Sequence, residues 1–409
     1  MPGKNLNDKL KRFSSQLTSR DNSKSQAKYP ERYELLADHL HGELVAGPSG
    51  CYCLVRTFFP TGYTHGLNEL KMEDIGKILP AAAFSIHDGS LSYPLKSMKF
   101  LDTETTGLGG SGTVAFLIGM GHLVEEGFEV LQYIIPDFSD EAAMLQDFYE
   151  TLNVDSTIVS FNGASFDVPV IQDRLIINRV ARKLEFGHHL DVLHSARRLF
   201  KRRLQDCTLM NLERQLLSFY RTDDIPGYLV PSVYFEWLSS QELSMMSAVL
   251  EHNRHDIISL LFLTQLIAEA FVSTGETLEH SEDLHSLSRF FERRKESTKV
   301  ERIYDRVEES GTEITPDAAL HFARNFKRTQ KFERSVTIWE SLVEARSVQG
   351  YWACVELAKY HEHQTKEIKT ALDYARLAST RNALSDLQIG RLNKRIQRLS
   401  KKLNTFDEN

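Results

Sequence analysis

The sequence predicts an α/β domain, a mixed sheet flanked by helices, followed by an all-α domain of helical repeats. Between residues 96 and 275, apolar segments of strand length alternate with amphipathic segments of helix length. Residues 280–400 have a helical pattern throughout and contain an internal repeat. A chain of 409 residues is also too long for one ordinary core, so two or three domains are expected.

Two acids end the apolar segment that begins at Phe100. Asp102 and Glu104 are separated by one residue, and side chains two apart in a strand project from the same face. Carboxylates held so close repel each other unless a cation lies between them, and Mg²⁺ and Mn²⁺ take oxygen ligands. The pair therefore predicts half of a metal site. The alternative is a solvated strand end with two incidental acids.

The rest of this domain is predicted as a three-stranded antiparallel meander followed by alternating helices and strands. Turn residues, possible N-caps and a Pro tolerated in a first helical turn mark the boundaries. After the acidic strand, the predicted elements are strands 114–123 and 128–135, a helix from Asp140 to Leu152 with Ser139 as N-cap, a strand from Thr157 to Phe161, a helix starting near Pro169, and a long helix from about Ser240 to Ala270.

Two segments precede the acidic strand. Residues 1–30 are a basic N-terminal segment with seven Lys or Arg against two Asp, and Leu6, Leu10, Phe13 and Leu17 have the spacing of a short amphipathic helix. Residues 31–95 are expected to form an α+β extension packed on the α/β domain. No chemistry can be assigned to this extension from its residues.

The C-terminal domain repeats with a period of 35 residues. Aromatic residues recur at Tyr304, Trp339 and Tyr374, and small residues keep the same interval at Ser288, Ala323 and Ala358. This period is typical of paired helices in a tetratricopeptide array, which usually holds a partner on its concave face. A plain helical cap without a partner is the alternative.

Composition indicates a globular protein in the cytoplasm. Hydrophobic residues make up 41% and charged residues 26% of the chain. The first thirty residues have no apolar core of the kind found in a signal peptide, and the apolar segment Ile257–Ala268 is too short to span a bilayer. We therefore expect no membrane association. The four cysteines show neither zinc spacing nor a disulfide framework.

A basic segment follows the predicted strands. From Ile171 to Arg221, eleven Lys and Arg stand against five Asp and Glu. The densest part contains Arg197, Arg198, Lys201, Arg202 and Arg203. Such a cluster is suited to a phosphate backbone, and a helix with a solvated basic face is the alternative.

Further acids follow the acidic strand in the sequence. Asp167 lies after a strand and the Asn162-Gly163 turn, at a predicted helix start, where it could also be only an N-cap. In the long helix, His252 precedes Asp256 by four residues and therefore shares its face, whereas His255 points about 100° away. His252 is thus the better general base, unless it only pairs with Asp256 on the helix surface.

Together these motifs resemble the DEDD exonucleases of the ribonuclease H-like superfamily. The resemblance is strongest to the YprB-like subfamily, which joins such a domain to tetratricopeptide repeats. It differs from the common histidine subtype, in which the histidine stands five residues before the last aspartate. The matching segments are Phe100-Leu-Asp-Thr-Glu-Thr-Thr-Gly107 with the following Leu-Gly-Gly-Ser-Gly, Phe161-Asn-Gly-Ala-Ser-Phe-Asp167, Arg197-Arg-Leu-Phe-Lys-Arg-Arg203 and His252-Asn-Arg-His-Asp256.

The resemblance implies a ribonuclease H-like fold for residues 96–275 and a two-metal mechanism. It implies that Asp102, Glu104, Asp167 and Asp256 hold two divalent cations, Mg²⁺ or Mn²⁺, about 3.5 to 4 Å apart. It also implies that His252 deprotonates the attacking water. The expected substrate contacts are Thr105, Thr106, Gly107, Asn162, Arg197, Arg198, Arg202 and Arg203.

The activity that the resemblance implies is 3′ to 5′ cleavage of DNA in DNA repair, with a protein partner on the repeats and a helicase as one candidate. RNA is the alternative substrate. A non-catalytic scaffold that only binds nucleic acid or protein is the other alternative, but such a scaffold has no need for four mutually repelling acids.

Two other motifs are rejected. Gly107-Leu-Gly-Gly-Ser-Gly112 matches a dinucleotide-binding fingerprint, but a strand-like segment follows where a helix should open, and two acids precede it. The loop instead leaves room for a nucleotide. The pairs His188-His189 and His361-x-His363 lack companion ligands at zinc spacing.

Overall fold

The computed structural model describes residues 29–84, 91–107, 110, 112–311, 313–344, 347–381 and 384–407. The amphipathic helix predicted from Leu6 to Leu17 lies outside the described residues. The chain forms two compact units: one contains residues up to 196 together with 206–268, and the other contains residues 197–205 together with those from 269 onward.

A seven-stranded mixed sheet forms the centre of the first unit. The strands of this unit, numbered along the chain, are β1 (Glu43–Gly47), β2 (Gly50–Pro60), β3 (Thr64–His65), β4 (Asn68–Glu69), β5 (Ile78–Pro80), β6 (Ser92–Pro94), β7 (Met98–Thr105), β8 (Ala115–Val124), β9 (Gly127–Ile134), β10 (Thr157–Ser160) and β11 (His188–Asp191). The order in the large sheet is β1-β2-β9-β8-β7-β10-β11, while β3 pairs with β4 and β5 with β6.

Helices connect and cover these strands. They are α1 (Glu31–His39), α2 (Glu141–Glu150), α3 (Asp167–Ile177), α4 (Val192–Leu204), α5 (Leu209–Leu212), α6 (Val230–Ser240) and α7 (Met246–Val272). Helices α4 and α7 each begin in the first unit and end in the second. Short 3₁₀ turns lie at Met72–Gly76, Ala81–Ala83, Leu95–Ser97, Phe138–Asp140 and Gly227–Leu229, and π turns at Glu213–Leu217 and His361–Thr365.

The predicted fold class is confirmed. Strands β7, β8 and β9 form the expected antiparallel meander, and β10 and β11 continue the sheet in parallel, connected through α3 as parallel strands require. Strands β1 and β2 extend the same sheet, because β2 pairs antiparallel with β9 along its length.

Helix α7 lies against the sheet beside the acidic end of β7. Asp102 pairs in register with Gly119 of β8. A Cβ atom on Gly119 would lie 2.1 Å from Oδ1 of Asn253 and 2.4 Å from Cδ1 of Ile257, both residues of α7. The glycine therefore allows α7 to approach the strand more closely than any side chain would.

Two aromatic residues attach α6 to the loop after β9. The ring of Tyr234 stacks on Phe116 with centroids 4.1 Å apart, and its hydroxyl donates to the carbonyl of Ile135 at 3.0 Å. Trp237 donates from its indole N–H to the carbonyl of Pro136 at 3.0 Å. Both side chains are fully buried, so their polar atoms are satisfied inside the core.

Two predicted helix boundaries are wrong. The helix expected from about Ser240 to Ala270 begins later, because Ser240 is the last residue of α6, Gln241 adopts φ 60°, and α7 begins only at Met246. The predicted N-cap of α2, Ser139, lies in the preceding 3₁₀ turn, where its backbone N–H donates to Asp137. The helix itself begins at Glu141.

Helix α7 is long and apolar enough to cross a membrane by length and composition alone. It has 27 residues, and its most apolar stretch has a mean hydropathy of 1.5. However, 72% of that stretch is buried inside the protein, as in the central helix of a globular core.

The second unit is built from pairs of antiparallel helices. The pairs are α8 (Ser281–Arg293) with α9 (Ser297–Glu309), α10 (Pro316–Arg328) with α11 (Phe332–Leu342), and α12 (Val348–Tyr360) with α13 (Ile368–Ser379), and they are followed by α14 (Asp386–Asp407). The predicted period corresponds to these pairs. Ser288, Ala323 and Ala358 are fully buried in the first helix of each pair, and the repeated aromatic positions lie in the second.

Replacement of Gly119 by Ala is expected to destabilise the protein, because the new methyl group would clash with Asn253 and Ile257. Overpacking of this kind costs about 1–3 kcal/mol. The matched control is Gly390→Ala in α14, where a Cβ meets nothing within 4 Å and Ala is the better helix former. Urea unfolding followed by circular dichroism tests the pair, and equal midpoints for the two variants would contradict the expected crowding.

Candidate functional site

The structure brings the four predicted acids together from three elements. Asp102 and Glu104 lie on β7, Asp167 on the first turn of α3, and Asp256 on α7. Burial and the charges of Asp256, Glu104 and Asp167 raise the pKa of Asp102 well above its ordinary value. Burial and the neighbouring carboxylates raise the pKa of Glu104 in the same way. The acids are therefore close enough to oppose each other's ionisation.

A chain of amides orients Asp102. The side-chain nitrogen of Asn253 donates to Oδ2 of Asp102 at 2.8 Å, and Oδ1 of Asn253 accepts from Gln132 at 2.8 Å. Gln132 also donates to the carbonyl of Leu250 at 2.9 Å. Both amide residues are fully buried, so this chain holds one carboxylate oxygen in a defined direction.

Asp167 is held by Thr103, the residue between the two acids of β7. Its Oδ1 accepts from the backbone N–H of Thr103 at 3.1 Å and from the hydroxyl at 2.5 Å. Burial raises the pKa of Asp167 to about 6, although the hydrogen bonds from Thr103 lower it.

The turn before α3 depends on Asp191, at the end of β11. Its carboxylate accepts from the backbone N–H groups of Asn162 at 2.9 Å and Ala164 at 3.2 Å. Asn162 adopts φ 68°, a left-handed conformation that Asn tolerates better than most residues. Asn162, predicted as a substrate contact, is thus exposed at the tip of a turn that positions Asp167.

Asp256 is ion-paired with Arg221, a residue that the motifs did not indicate. Arg221 also donates to Glu213 through two hydrogen bonds of 2.8 and 2.5 Å and to Asp224 at 3.2 Å. Only 3% of the Arg221 side chain is exposed. Burial lowers the pKa of Arg221, but the charges of Asp256 and Glu213 outweigh this effect and raise it above its ordinary value.

His252 lies beside Asp256, as the helical spacing predicted. Its Nε2 is 4.0 Å from Oδ2 of Asp256, and its Nδ1 is 2.8 Å from Oδ1 of Asp224. Arg221 Nη1 is also 3.4 Å from Nδ1. Because the carboxylate is the closer partner and can only accept, we assign the proton to Nδ1, which leaves Nε2 as the acceptor.

Asp224 and Arg221 were missed for a physical reason. Both lie in the loop 221–227, which has no helical or strand period that relates them to His252. The sequence signal for these residues was weak and consisted of a charged cluster before Pro226 and Gly227.

His255 lies on the same helix as His252, but its Nε2 is 2.9 Å from Oε1 of Glu251.

Two predicted substrate contacts at the end of β7, Thr105 and Thr106, make hydrogen bonds with nearby backbone groups. The hydroxyl of Thr105 donates to the carbonyl of Gly107 at 2.7 Å, and the hydroxyl of Thr106 accepts from the backbone of Val114 at 3.0 Å. Residues 108, 109 and 111 lie outside the described part of the chain. Contact between the loop after β7 and a substrate stays a prediction.

The basic cluster of α4 belongs to the second unit, which contains residues 197–205. Arg203 pairs there with Asp283 at 2.8 Å, and Arg198 lies over the ring of Phe290 at 4.9 Å from its centroid. Arg197 and Arg202 are exposed. Their predicted role in substrate binding therefore concerns the helical unit.

The donor chemistry of the acidic site fits hard divalent cations, which prefer carboxylate oxygens. In the part of the chain that the structure describes, no three His, Cys, Asp or Glu side chains form a preformed metal cage. Asp102, Asp167 and Asp256 are turned toward Asn253, Thr103 and Arg221 respectively. Binding of a cation would require these side chains to reorient, and its charge would relieve the repulsion that raises the pKa of Asp102 and Glu104.

Replacement of Arg221 by Gln is expected to lower the melting temperature without metal, because buried carboxylates lose their counter-charge, at a cost of about 3–5 kcal/mol. Mn²⁺ should then raise the melting temperature of the variant more than that of the wild type. Arg174→Gln is the matched control, since Arg174 pairs with buried Glu141 away from the site. Thermal unfolding with Mn²⁺ or EDTA measures both. Equal metal-induced shifts in the two variants would contradict a cation site beside Arg221.

Comparison with known proteins places the chain in a family. Residues 99–268 match the RNase H superfamily. YprB of Bacillus subtilis strain 168, an uncharacterized protein, is 32% identical over 358 residues, which span 86% of each chain. Among solved structures, the family B DNA polymerase of the hyperthermophilic archaeon Pyrobaculum calidifontis aligns with 71% of this chain and 39% of its own at 15% identity, but its TM-score of 0.33 is too low to support an inference. The extent of the match to YprB shows that the chain belongs to the YprB family and carries an RNase H superfamily domain.

Proposed function

We propose that the chain is a metal-dependent nuclease, specifically a DEDD-type 3′ to 5′ exonuclease that hydrolyses phosphodiester bonds of DNA. The observation that carries this proposal is the convergence of four acids in an RNase H superfamily domain, where burial and the neighbouring carboxylates raise the pKa of Asp102 and Glu104. Such an arrangement is costly unless positive charge is bound there during function.

Asp102, Glu104, Asp167 and Asp256 would hold two divalent cations, Mg²⁺ or Mn²⁺. Bound cations supply positive charge that lowers the pKa of the attacking water and stabilises the leaving 3′ oxygen. Asn253 and Thr103 orient two of the carboxylates through neutral hydrogen bonds. They do so without cancelling the negative charge that attracts the cations.

His252 would accept the proton of the attacking water at Nε2. Asp224 accepts the Nδ1 proton of the same ring at 2.8 Å, so it would fix the tautomer and the ring orientation and stabilise the imidazolium that forms. In this role Asp224 is a positioning residue.

Replacement of Asp102 by Asn is expected to abolish metal-dependent nucleotide release, with a loss of about a thousandfold, or ~4 kcal/mol of transition-state stabilisation. Asn keeps the shape of the side chain while removing its charge. The assay uses 3′- and 5′-labelled DNA and RNA, single- and double-stranded, with Mg²⁺, Mn²⁺ or EDTA. The control is Asp155→Asn, at an exposed carboxyl in the same unit.

The same assay separates the alternatives. Stepwise shortening from the 3′ end of DNA supports the proposed polarity and substrate, whereas preferential shortening of RNA would make the chain an RNA exonuclease. Equal nucleotide release by wild type and Asp102→Asn would refute the catalytic assignment. Binding without any cleavage by the wild type would favour a non-catalytic scaffold.

Replacement of Asp224 by Asn is expected to lower kcat by about ten- to a hundredfold with little change in KM, because His252 loses the carboxylate that orients its ring. Asp223→Asn is the matched control. Its side chain is exposed, and Asn is compatible with its φ of 57°. Steady-state kinetics on both variants test the role, and a change in KM alone for Asp224→Asn would contradict it.

The role of the second unit is also a proposal. The helix pairs and their buried small residues support assignment of residues 280–400 to tetratricopeptide-like repeats. Such repeats would bind a protein partner, and a helicase in DNA repair is one candidate. We further propose that the protein acts in the cytoplasm, without membrane association.

A further inference from the structure

One surface of the helical unit is rich in positive charge. We call it the basic face and define it by the end of α4 together with neighbouring helices α8 and α10: Arg197, Arg198, Lys201, Arg202, Arg289, Arg293 and Arg324. All these residues lie within the second unit. The sequence indicated only the four from α4, because the others are scattered among acids in the repeats.

Two adjoining cavities lie along the basic face. The smaller cavity, of about 330 Å³, is lined by six of these cations with Ser286 and Phe290, and no acid of the described residues lines it. The larger, of about 470 Å³, lies on the first helices of all three pairs and has two acids, Glu292 and Asp317, in its lining. Arg202 and Arg289 line both cavities, so the two are continuous.

Most cations of the basic face have no neutralising partner. The six other than Arg198 are exposed, and no carboxylate of the described residues lies within 4.0 Å of any of these six. Cations on neighbouring surfaces of the repeats are neutralised by ion pairs: Lys327 with Glu356, Lys331 with Glu301, and Arg334 with Asp305. The free charge on the basic face therefore creates a local positive field.

A buried polar group lines the larger cavity. His285 is 2% exposed, and neither ring nitrogen has a hydrogen-bond partner in the described part of the chain. Burial, His321 and the charges of Arg202 and Arg289 lower the pKa of His285 to about 3. The neutral ring offers one donor and one acceptor to whatever enters the cavity, since an unsatisfied buried polar group is costly.

We propose that the basic face is a second nucleic-acid site, which binds the phosphate backbone through residues of the second unit alone. Binding here requires no catalysis. A row of exposed, unpaired cations suits a polyanion of regular charge spacing. In the smaller cavity the ring of Phe290 is covered by Arg198 and Arg294, so cations rather than an apolar anchor are offered there. Leu320, Val348 and Trp352 line only the larger cavity.

The test uses the full chain carrying Asp102→Asn, in EDTA, so that hydrolysis does not affect binding. Fluorescence anisotropy of a labelled single-stranded DNA is measured between about 50 and 200 mM KCl. Arg202→Gln with Arg289→Gln should weaken binding about tenfold and reduce the salt slope by about 1.4, because two phosphate contacts are lost. Arg293→Gln with Arg324→Gln should act in the same direction.

The matched control is Lys369→Gln with Lys394→Gln, which removes the same charge from exposed positions that line neither cavity. Unchanged affinity and slope in both arginine variants would overturn the proposal. Binding of a labelled polyglutamate peptide is measured in parallel. If the arginine variants lose binding to this peptide but retain DNA binding, the basic face binds an acidic protein and the proposal is overturned. If the wild type cleaves no DNA but its DNA binding still depends on these arginines, only the catalytic proposal is refuted.

Discussion

The acidic site depends on one constraint: carboxylates that repel one another are buried together. Burial and mutual repulsion raise the pKa of Asp102 and Glu104. The protein limits this cost by placing a hydrogen-bond donor against three of the four acids. An amide from α7 holds Asp102, Thr103 holds Asp167, and Arg221 holds Asp256. The surrounding fold must keep these donors in place, because each acid left without a partner would add several kcal/mol to the cost.

Helix α7 supplies most of the groups that hold the acids in place. Asn253 and Asp256 are three residues apart and therefore lie on one face of the helix, so a single element both orients the first acid and supplies the last. This works only because the helix can approach β8 at Gly119, where any Cβ would collide with Asn253. Strand β11 has a comparable role for Asp167, since Asp191 holds the turn from which α3 begins.

The parts of the structure that follow a local period could be predicted from sequence. Two-residue spacing placed Asp102 and Glu104 on one face, four-residue spacing placed His252 beside Asp256, and the 35-residue period corresponds to the helix pairs. Features that depend on loop geometry or long-range contact could not. Arg221 reaches Asp256 across 35 positions, and no pattern encodes that distance. The predicted long helix likewise included Gln241, whose left-handed conformation ends α6 without a Gly or Pro.

The two kinds of donor have different electrostatic effects. Asn253 and Thr103 are neutral, so they orient carboxylates and leave their charge in place, whereas Arg221 is one cation shared among three carboxylates. Carboxylates therefore outnumber cations at the site, which favours divalent cations but disfavours a phosphate backbone. Under the proposed function, a polyanionic substrate would gain its affinity elsewhere. The exposed arginines of the helical unit, such as Arg202 and Arg289, would supply it in our proposal, because they have no carboxylate partner among the described residues.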